Sequence, residues 1–204
     1  DLSELIEPMA KRLHWLPINK FQYKPELSRT YKVNANWALY CDNYLEGFHI
    51  PFVHKDLNQE LEYEDYFTQG IDNTVLQIGI GKGDENTFDL PKDHQDYGKN
   101  IAAYYFFLFP NMMFNFYPWG LSINVVKPKS PEYTEIDYFT YIWKEELMGK
   151  GAGGDLDKVE LEDGEIVETV QKGVKSKAYD RGRYSPKREI GVHHFHLLLQ
   201  KYYN

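Results

Sequence analysis

The spacing of apolar residues changes along the chain and predicts helices near both ends with strands between them. Over residues 1–16 the apolar positions recur at helical intervals, which predicts a helix or an extended lead-in: Leu2, Leu5, Ile6, Met9 and Leu13. Residues 21–33 are predicted to be extended. Asn36 is a residue type that caps helices, so a helix is predicted from Trp37 to about His49.

The middle of the chain contains runs rich in aromatic and β-branched residues, which are typical of strands. The predicted strands are residues 60–67, 74–80, 102–109, 112–117, 121–127 and 134–143. The polar stretch 81–99 is predicted to form a loop or a lid over a pocket. Consecutive strands with helices mainly at the two ends predict an α+β fold, an antiparallel β-sheet with flanking helices.

Two more helices are predicted after the strands. Beyond a glycine-rich break at residues 149–154, apolar residues recur at helical intervals through residues 155–173: Leu156, Val159, Ile166, Val167 and Val170. Ser185 followed by Pro186 resembles a helix cap with proline at the first helical position. A C-terminal helix is therefore predicted to run from there through Leu199.

Glu46, His49 and His54 form the most informative polar cluster and predict an iron site. A separation of five residues turns two side chains about 140° apart on an ideal helix, so one straight helix cannot aim both histidines at one metal. Pro51 lies between them and is predicted to kink or stop the helix near Ile50, which brings His54 back toward His49. Glu46 precedes His49 by three residues and is placed to fix its tautomer.

The third ligand is expected in the predicted helix at residues 155–173. Asp163 lies seven residues from both Leu156 and Val170, at the centre of the apolar stripe. Because a carboxylate on a buried face needs a partner or a metal, Asp163 is the best candidate. Gly164 costs about 1 kcal/mol in a helix interior. If it breaks the helical register, Glu162 is the alternative ligand.

Two histidines and one carboxylate on one face of a metal leave positions open opposite, an arrangement suited to O2 activation by non-haem Fe(II). Cys41 is the only cysteine, so a structural zinc site with two or more thiolates within this chain is excluded. A catalytic zinc hydrolase remains an alternative, with Glu46 as its general base.

Residues 42–54, preceded by Asn36 and Trp37, resemble the mononuclear-iron motif of Rieske-type non-haem iron oxygenases, in the catalytic domain of their α subunit. Residues 109–120, 162–168, 182–186 and 191–196 resemble further segments of that domain. The resemblance runs from about Asn34 to the C-terminus. It implies a lead-in at residues 1–33, a mononuclear-iron catalytic domain at residues 34–204, and a helix-grip fold related to START-like (SRPBCC) domains.

The resemblance implies roles for five residues. His49, His54 and Asp163 match the ligands of Fe(II). Glu46 matches the acidic residue that bridges an iron-binding histidine to the Rieske cluster of a neighbouring subunit, and Asn43 matches a nearby asparagine of the catalytic site. The resemblance also implies a homotrimer that uses O2 to hydroxylate a small aromatic or quaternary ammonium compound, by mono- or dioxygenation. Electrons would come from NAD(P)H through a reductase or ferredoxin.

The chain departs from this family in one respect. A Rieske [2Fe–2S] cluster needs two cysteines and two histidines, and Cys41 stands alone. The expectation is a catalytic domain whose N-terminal Rieske domain lies outside this chain; a gene product that never had one is the other account. Without the cluster, electrons have no direct route to the iron, so the chain alone is expected to be inactive.

Composition narrows the setting of the protein. Its 204 residues suffice for one domain with a substantial core. A formal net charge of −8 argues against a nucleic-acid partner. The single cysteine fits a reducing cytoplasm, and no signal peptide stands at the start. The apolar stretch 101–121 is interrupted by prolines and asparagines, so it is predicted to form strands around a turn rather than a membrane helix.

Two further features of the sequence are the histidines near the C-terminus and the high aromatic content. His193, His194 and His196 lack the spacing that places ligands on one helix face, so packing or capping is expected of them. The 17 tyrosines, 12 phenylalanines and 4 tryptophans suit a sheet core, a flat arene site or a cage for a quaternary ammonium group. The C-terminal segment resembles choline- and carnitine-type monooxygenases, which favours the cage. A non-catalytic START-like module for a hydrophobic ligand is the alternative outside enzymes.

Overall fold

A single antiparallel sheet organises the chain. The computed structural model describes residues 1–82 and 86–203, and eight strands lie within these ranges. They are β1 Gln22–Tyr23, β2 Arg29–Val33, β3 Phe67–Ile71, β4 Thr74–Ile80, β5 Ile101–Leu108, β6 Met112–Tyr117, β7 Gly120–Ser130 and β8 Tyr133–Ile142. The order across the sheet is β1-β8-β7-β6-β5-β4-β3, and β2 also pairs with β8. The predicted α+β fold with an antiparallel sheet and flanking helices is confirmed.

The helices are α1 Leu2–Arg12, α2 Trp37–Tyr44, α3 Ile50–Val53, α4 Lys55–Glu60, α5 Leu156–Val174 and α6 Ile190–Tyr203. Asn36 caps α2 as predicted, since its side-chain oxygen accepts the N–H of Ala38 at 3.0 Å. Asp155 caps α5 in the same way through the N–H of Lys158. In the described ranges, no helix has both the length and the apolar character needed to cross a bilayer.

Each face of the sheet carries its own hydrophobic core. On one face, which we call the inner face, β4–β8 contribute Val75, Phe107 and Met113, and helices α2, α5 and α6 cover them. Phe195 of α6 is fully buried there, and truncating such an aromatic side chain costs about 3–5 kcal/mol. The opposite, outer face packs Phe106 and its neighbours under α1 and the segment at residues 86–99.

A row of polar and aromatic side chains crosses the inner face. The strand register places one residue from each of five strands side by side: Gln77, Tyr105, Asn115, Ser122 and Thr140. Neighbouring side chains on one face of an antiparallel sheet lie close enough to interact. The row therefore forms a continuous polar band within an apolar core, and we call it the polar row.

Three sequence predictions about element boundaries are wrong. Helix α2 ends at Tyr44 rather than near His49, because the N–H of Leu45 turns back to the carbonyls of Cys41 and Asp42. Helix α6 begins at Ile190 rather than at Pro186, since residues 186–188 form a separate turn over the carbonyl of Ser185.

The strand predicted at residues 60–67 is the third error. Glu60 ends helix α4, residues 63–65 form a 3₁₀ turn, and the real strand β3 starts at Phe67. The strand contains Gly70, where a Cβ atom would lie 2.5 Å from the ring of His194 on α6. Glycine is thus needed for α6 to pack on this edge of the sheet.

The stretch 81–99 was predicted to be a loop or a lid: its described residues form a loop, but not a lid over the inner cavity. Residues 83–85 lie outside the described residues, but the described part of the segment, 86–99, packs on the outer face and lines no part of the inner cavity. Its anchor is Asp96, which pairs with Arg12 at 2.6 Å and accepts the hydroxyl of Tyr104 at 2.9 Å. Lys99 completes the pairing at 3.2 Å. The segment is a fixed clamp between α1 and β5.

Candidate metal centre

The two histidines of the motif lie at opposite ends of the one-turn helix α3. His49 precedes Ile50 and His54 follows Val53, so a five-residue separation brings both rings to one side. Their ring centroids are 5.0 Å apart. Pro51 starts this short helix rather than kinking a long one, which suits its fixed φ angle and missing N–H. The predicted change of direction near Pro51 is present. It is not a kink at the end of α2, because α2 has already ended at Tyr44 and Pro51 belongs to the separate helix α3.

Asp163 reaches the same point from helix α5. The helix continues through Gly164 without a break, from Leu156 to Val174. The carboxylate oxygen Oδ1 of Asp163 lies 2.9 Å from Nε2 of His54 and 3.4 Å from Nε2 of His49. One candidate ligand atom from each of the three residues lies within 4.8 Å of the others. The structure thus brings together the three residues that the sequence suggested as ligands.

Both imidazoles are held from behind by carboxylates. Nδ1 of His49 lies 2.7 Å from Glu46, and Nδ1 of His54 lies 2.8 Å from Glu162. Because a carboxylate only accepts hydrogen bonds, each Nδ1 carries the hydrogen and each Nε2 faces Asp163. A carboxylate behind a histidine is the usual support for a metal-bound imidazole, since it fixes the tautomer and raises the basicity.

Glu46 also builds the turn that presents His49. One oxygen of its carboxylate accepts the backbone N–H groups of Phe48 and His49, and the other binds the His49 ring. The contact that the sequence suggested between Glu46 and His49 therefore exists, but on a capped turn instead of a helix surface.

Asn43 secures the third carboxylate. From the last turn of α2, its side-chain Nδ2 donates to Oδ1 of Asp163 at 2.6 Å. Asn43 therefore positions Asp163 against the two histidines. Glu162, the alternative ligand, turns to the other side of His54 and supports that ring from behind.

The charges at the site are strongly coupled. Burial alone would raise the pKa of Asp163, but hydrogen bonds and positive charge from the two histidines outweigh it and lower the pKa to about 2. Burial alone would lower the pKa of His49, but hydrogen bonds to Asp163 and Glu46 outweigh it and raise the pKa to about 9. In the metal-free protein, protons on the imidazoles thus take the place that a cation would occupy.

The donor set fits a divalent iron ion. Two imidazole nitrogens and one carboxylate oxygen form the 2-His-1-carboxylate set of mononuclear non-haem Fe(II) proteins. Ligand atoms that each lie about 2.1 Å from one ion are at most about 4.2 Å apart. Three atoms within 4.8 Å of one another therefore need only a small contraction to bind one ion.

A cavity of about 90 Å³ opens beside the three residues. Its walls combine the candidate ligands with part of the polar row and five tyrosines: Tyr44, Tyr66, Tyr105, Tyr117 and Tyr138. The carboxyl group of Glu160, one helical turn before Asp163, also lines it. Burial and the charge of Asp163 raise the pKa of Glu160 to about 8.

The sequence analysis missed Glu160 and the polar row. The sequence places Glu160 toward the edge of the apolar stripe of α5, whereas in the structure its side chain lines the cavity and accepts the hydroxyl of Tyr40 at 2.6 Å. Gln77 and Asn115 are each the single amide residue of a largely apolar strand, but the sequence does not show that they line one cavity. The histidines near the C-terminus play no part in the cavity: His196 binds Asp42 at 2.9 Å, and His194 binds the carbonyl of Asp72.

The chain thus combines an antiparallel sheet, covered by helices on its inner face, with two imidazoles and a carboxylate that converge beside a cavity, the donor set of mononuclear non-haem Fe(II) proteins. A family model described as the ring-hydroxylating α subunit (catalytic domain) matches residues 21–204, and the chain belongs to this family. These residues include every part of the site described above.

The curated relatives that the chain matches include monooxygenases. A chloroplastic choline monooxygenase of Arabidopsis thaliana is 37% identical over 179 residues, which cover 84% of this chain and 40% of the relative. A carnitine monooxygenase oxygenase subunit of Escherichia coli K12 is 32% identical over 182 residues, covering 83% of this chain and 47% of the relative. This chain thus spans less than half the length of either relative.

Solved structures share the fold. The quaternary ammonium Rieske monooxygenase CntA superimposes with a TM-score of 0.76 at 23% identity, covering all of this chain and 56% of CntA. Dicamba monooxygenase superimposes with a TM-score of 0.61 at 14% identity, covering 89% of this chain and 59% of that protein.

Proposed function

We propose that this chain is the part of a Rieske-type oxygenase that binds mononuclear Fe(II) and hydroxylates a small organic substrate. The single observation that carries the proposal is the convergence of His49, His54 and Asp163, with both histidines supported from behind by carboxylates. Iron bound there would supply O2 binding and activation. The family membership and the monooxygenase relatives support the same reaction class.

The chain's own residues have distinct tasks in this proposal. The two Nε2 atoms and the Asp163 carboxylate hold the metal on one face, and Asn43 keeps Asp163 in place. The tyrosine-lined cavity excludes bulk water and holds the substrate beside the open face of the metal. A quaternary ammonium compound is the proposed substrate class, because tyrosine faces attract such cations and the curated relatives act on choline and carnitine.

Electron delivery is proposed to come from outside the chain. In this proposal Glu46 connects His49 to the Rieske [2Fe–2S] cluster of a neighbouring subunit in a homotrimer, and a reductase or ferredoxin passes on electrons from NAD(P)H. The proposal is supported by an exposed aromatic pair beside Glu46: Phe48 and Phe52 are 50% and 75% exposed, with ring centroids 6.3 Å apart. Exposed paired aromatic rings are common in protein contacts. A cytoplasmic location, expected from the single cysteine, stays a prediction.

The geometry weighs against the zinc hydrolase. A general base would have to face the open side of the metal. Glu46 instead binds the Nδ1 atom of His49, behind the ring, and caps the turn with its second oxygen. The hydrophobic binding module is also a poor match, because the cavity wall contains Glu160, Gln77 and Asn115.

Metal analysis tests the proposal. Chain purified anaerobically with ferrous iron should hold about one iron atom, and His49→Ala and His54→Ala should each lose it. His193→Ala is the matched control, since His193 is exposed, lies outside the cavity lining, and packs its ring against that of Tyr184. Full iron retention by both ligand variants would overturn the proposal, as would a preference for tightly held zinc with hydrolysis that depends on Glu46.

A further inference from the structure

The acceptor atoms of the cavity wall point to the charge of its ligand. Glu160 is hydrogen-bonded by tyrosine hydroxyls rather than paired with a basic side chain: Tyr40 donates to it at 2.6 Å, and the hydroxyl of Tyr138 lies 2.8 Å from that of Tyr40. Tyrosine hydroxyls stabilise a carboxylate without neutralising its charge. Burial raises the pKa of the Glu160 carboxyl group, so near neutral pH it holds a proton unless a cation joins it and stabilises the charged form.

Gln77 gives an independent indication of a ligand. Its side chain is 1% exposed, and its Nε2 donates to the carbonyl of Tyr44 at 2.7 Å. Gln77 lines the cavity, and its buried carbonyl oxygen Oε1 has no hydrogen-bond partner among the described residues. Buried carbonyl oxygens are normally paired, so an unpaired one in a cavity wall marks a position for a ligand donor or a positive charge.

The rest of the wall has the same electrostatic character. Five tyrosines line it, and among the described residues of the wall none is lysine or arginine; the basic side chains there are His49 and His54 at the metal end. A ring face attracts a cation and offers nothing to an anion. Away from the metal end, a ligand with a carboxylate would find no lysine or arginine in the described wall and would face Glu160.

Glu160 lies close to the proposed metal position. It precedes Asp163 by three residues on α5, and residues three apart on a helix are neighbours on its surface. A cation held by Glu160 therefore lies beside the metal, with its carbon substituents within reach of the open face.

From these observations we infer that Glu160 is the counter-ion for the cationic head group of the substrate, and that the cavity selects cations without a carboxylate over zwitterions. The inference rests on the proposed function and narrows its substrate class to quaternary ammonium alcohols or simple quaternary amines. Glu160 thereby selects the charge of the substrate, whereas the tyrosines of the cavity wall pack around it.

Binding calorimetry on the iron-loaded chain under anaerobic conditions tests the inference. The probes are choline, its neutral isostere 3,3-dimethylbutan-1-ol, tetramethylammonium and L-carnitine. The wild-type chain should bind choline at least about tenfold more tightly than both the isostere and L-carnitine. Glu160→Gln should weaken choline about tenfold while leaving the isostere unchanged, because the amide keeps the size of the carboxyl group and its contacts with the tyrosine hydroxyls.

Glu165→Gln on the exposed side of α5 is the matched control and should behave as wild type. Equal cation preference in the wild type and Glu160→Gln, or wild-type binding of the isostere or L-carnitine as tight as that of choline, would overturn the inference. The wild-type comparison stands even where Glu160→Gln fails to fold. Iron content measured on the same samples separates the two proposals: a chain without iron contradicts the proposed function, whereas an iron-loaded chain without cation preference contradicts this inference alone.

Discussion

Glu162 and Asp163, adjacent in the chain, bind the two nitrogens of the same imidazole. Glu162 holds Nδ1 of His54 at 2.8 Å, and Asp163 holds Nε2 at 2.9 Å. The ring of His54 is only 2% exposed, so its orientation is set by these two contacts and by packing. The sequence left open whether Asp163 or Glu162 is the third ligand. In the structure Asp163 faces the proposed metal position, and Glu162 supports His54 from behind.

Removing the support behind His54 should weaken metal binding without abolishing it. Glu162→Ala is expected to lower the affinity for ferrous iron by about ten- to a hundredfold, because the imidazole loses basicity and a fixed tautomer. Competition with a chelator measures the change. Glu165→Ala, an exposed acid on the same helix, should leave the affinity unaltered, and an equal loss in both variants would point to net charge instead of His54.

Replacing the hydrogen-bond donor of Asn43 by an acceptor should weaken iron binding more than removing the donor. In the wild type, Nδ2 of Asn43 lies 2.6 Å from Oδ1 of Asp163 and donates to it. Asn43→Ala removes this donor, whereas Asn43→Asp puts a second carboxylate oxygen, which can only accept, against Oδ1. The affinity for iron should therefore fall in the order wild type, Ala, Asp. Chelator competition at fixed pH gives the order, and equal affinities for all three proteins would remove Asn43 from the site.

Glu46→Gln tests electron delivery in the longer protein that carries the Rieske domain. The single amide oxygen can still accept the backbone N–H groups of the turn, but the NH2 group cannot accept the Nδ1–H of His49, so iron should bind more weakly and is supplied in excess. The loss of charge should slow transfer from the Rieske cluster to the iron by about tenfold or more. Single-turnover kinetics provide the measurement. An unchanged rate with full iron content argues against a bridging role.

The clamp on the outer face predicts a pH-dependent stability. Burial alone would raise the pKa of Asp96, but hydrogen bonds from Tyr104 and Lys99 and the charge of Arg12 outweigh it and lower the pKa. A lowered pKa contributes stability above the unfolded-state pKa of about 4 and loses it as the pH falls through the folded-state value. Asp96→Asn should therefore cost roughly 2 kcal/mol or more at pH 7.

Denaturant unfolding at several pH values checks this prediction. The difference in unfolding free energy between wild type and Asp96→Asn should shrink as the pH falls below about 4. Asp89→Asn in the same segment is the control, since Asp89 is exposed, and it should show a small difference at every pH. A constant difference for Asp96→Asn down to pH 2 would mean that hydrogen-bond geometry, not charge, holds the clamp.

The sequence predicted the central sheet well because its strands have strong, short-range patterns. Strands β4–β8 each contain several aromatic or β-branched residues, and their predicted bounds differ from the structure by at most three residues at an end. β3 was misplaced because residues 61–67 alternate like a strand, while the real strand contains Gly70 and pairs only with β4. Gly70 is explained by His194, a contact over more than a hundred residues.

Some residues of the candidate site could be predicted from the sequence, and others could not. His49, His54 and Asp163 were accessible from spacing, from periodicity and from resemblance to a family motif. Glu160 and Gln77 were not, because their roles depend on which acid turns inward on α5 and on how five strands align. The register that places Gln77 beside Tyr105, and Tyr105 beside Asn115, exists only once the strands have paired.

The polar row also bears on how such a domain acquires new substrates. Each of its five positions belongs to a different strand, and the pleat fixes the direction in which its side chain projects. The backbone hydrogen bonds of the sheet do not depend on which side chain stands there. A single substitution at Gln77, Asn115 or Ser122 can therefore change the polarity of the cavity wall while the backbone of the sheet stays the same. This makes the polar row a suitable target for directed evolution.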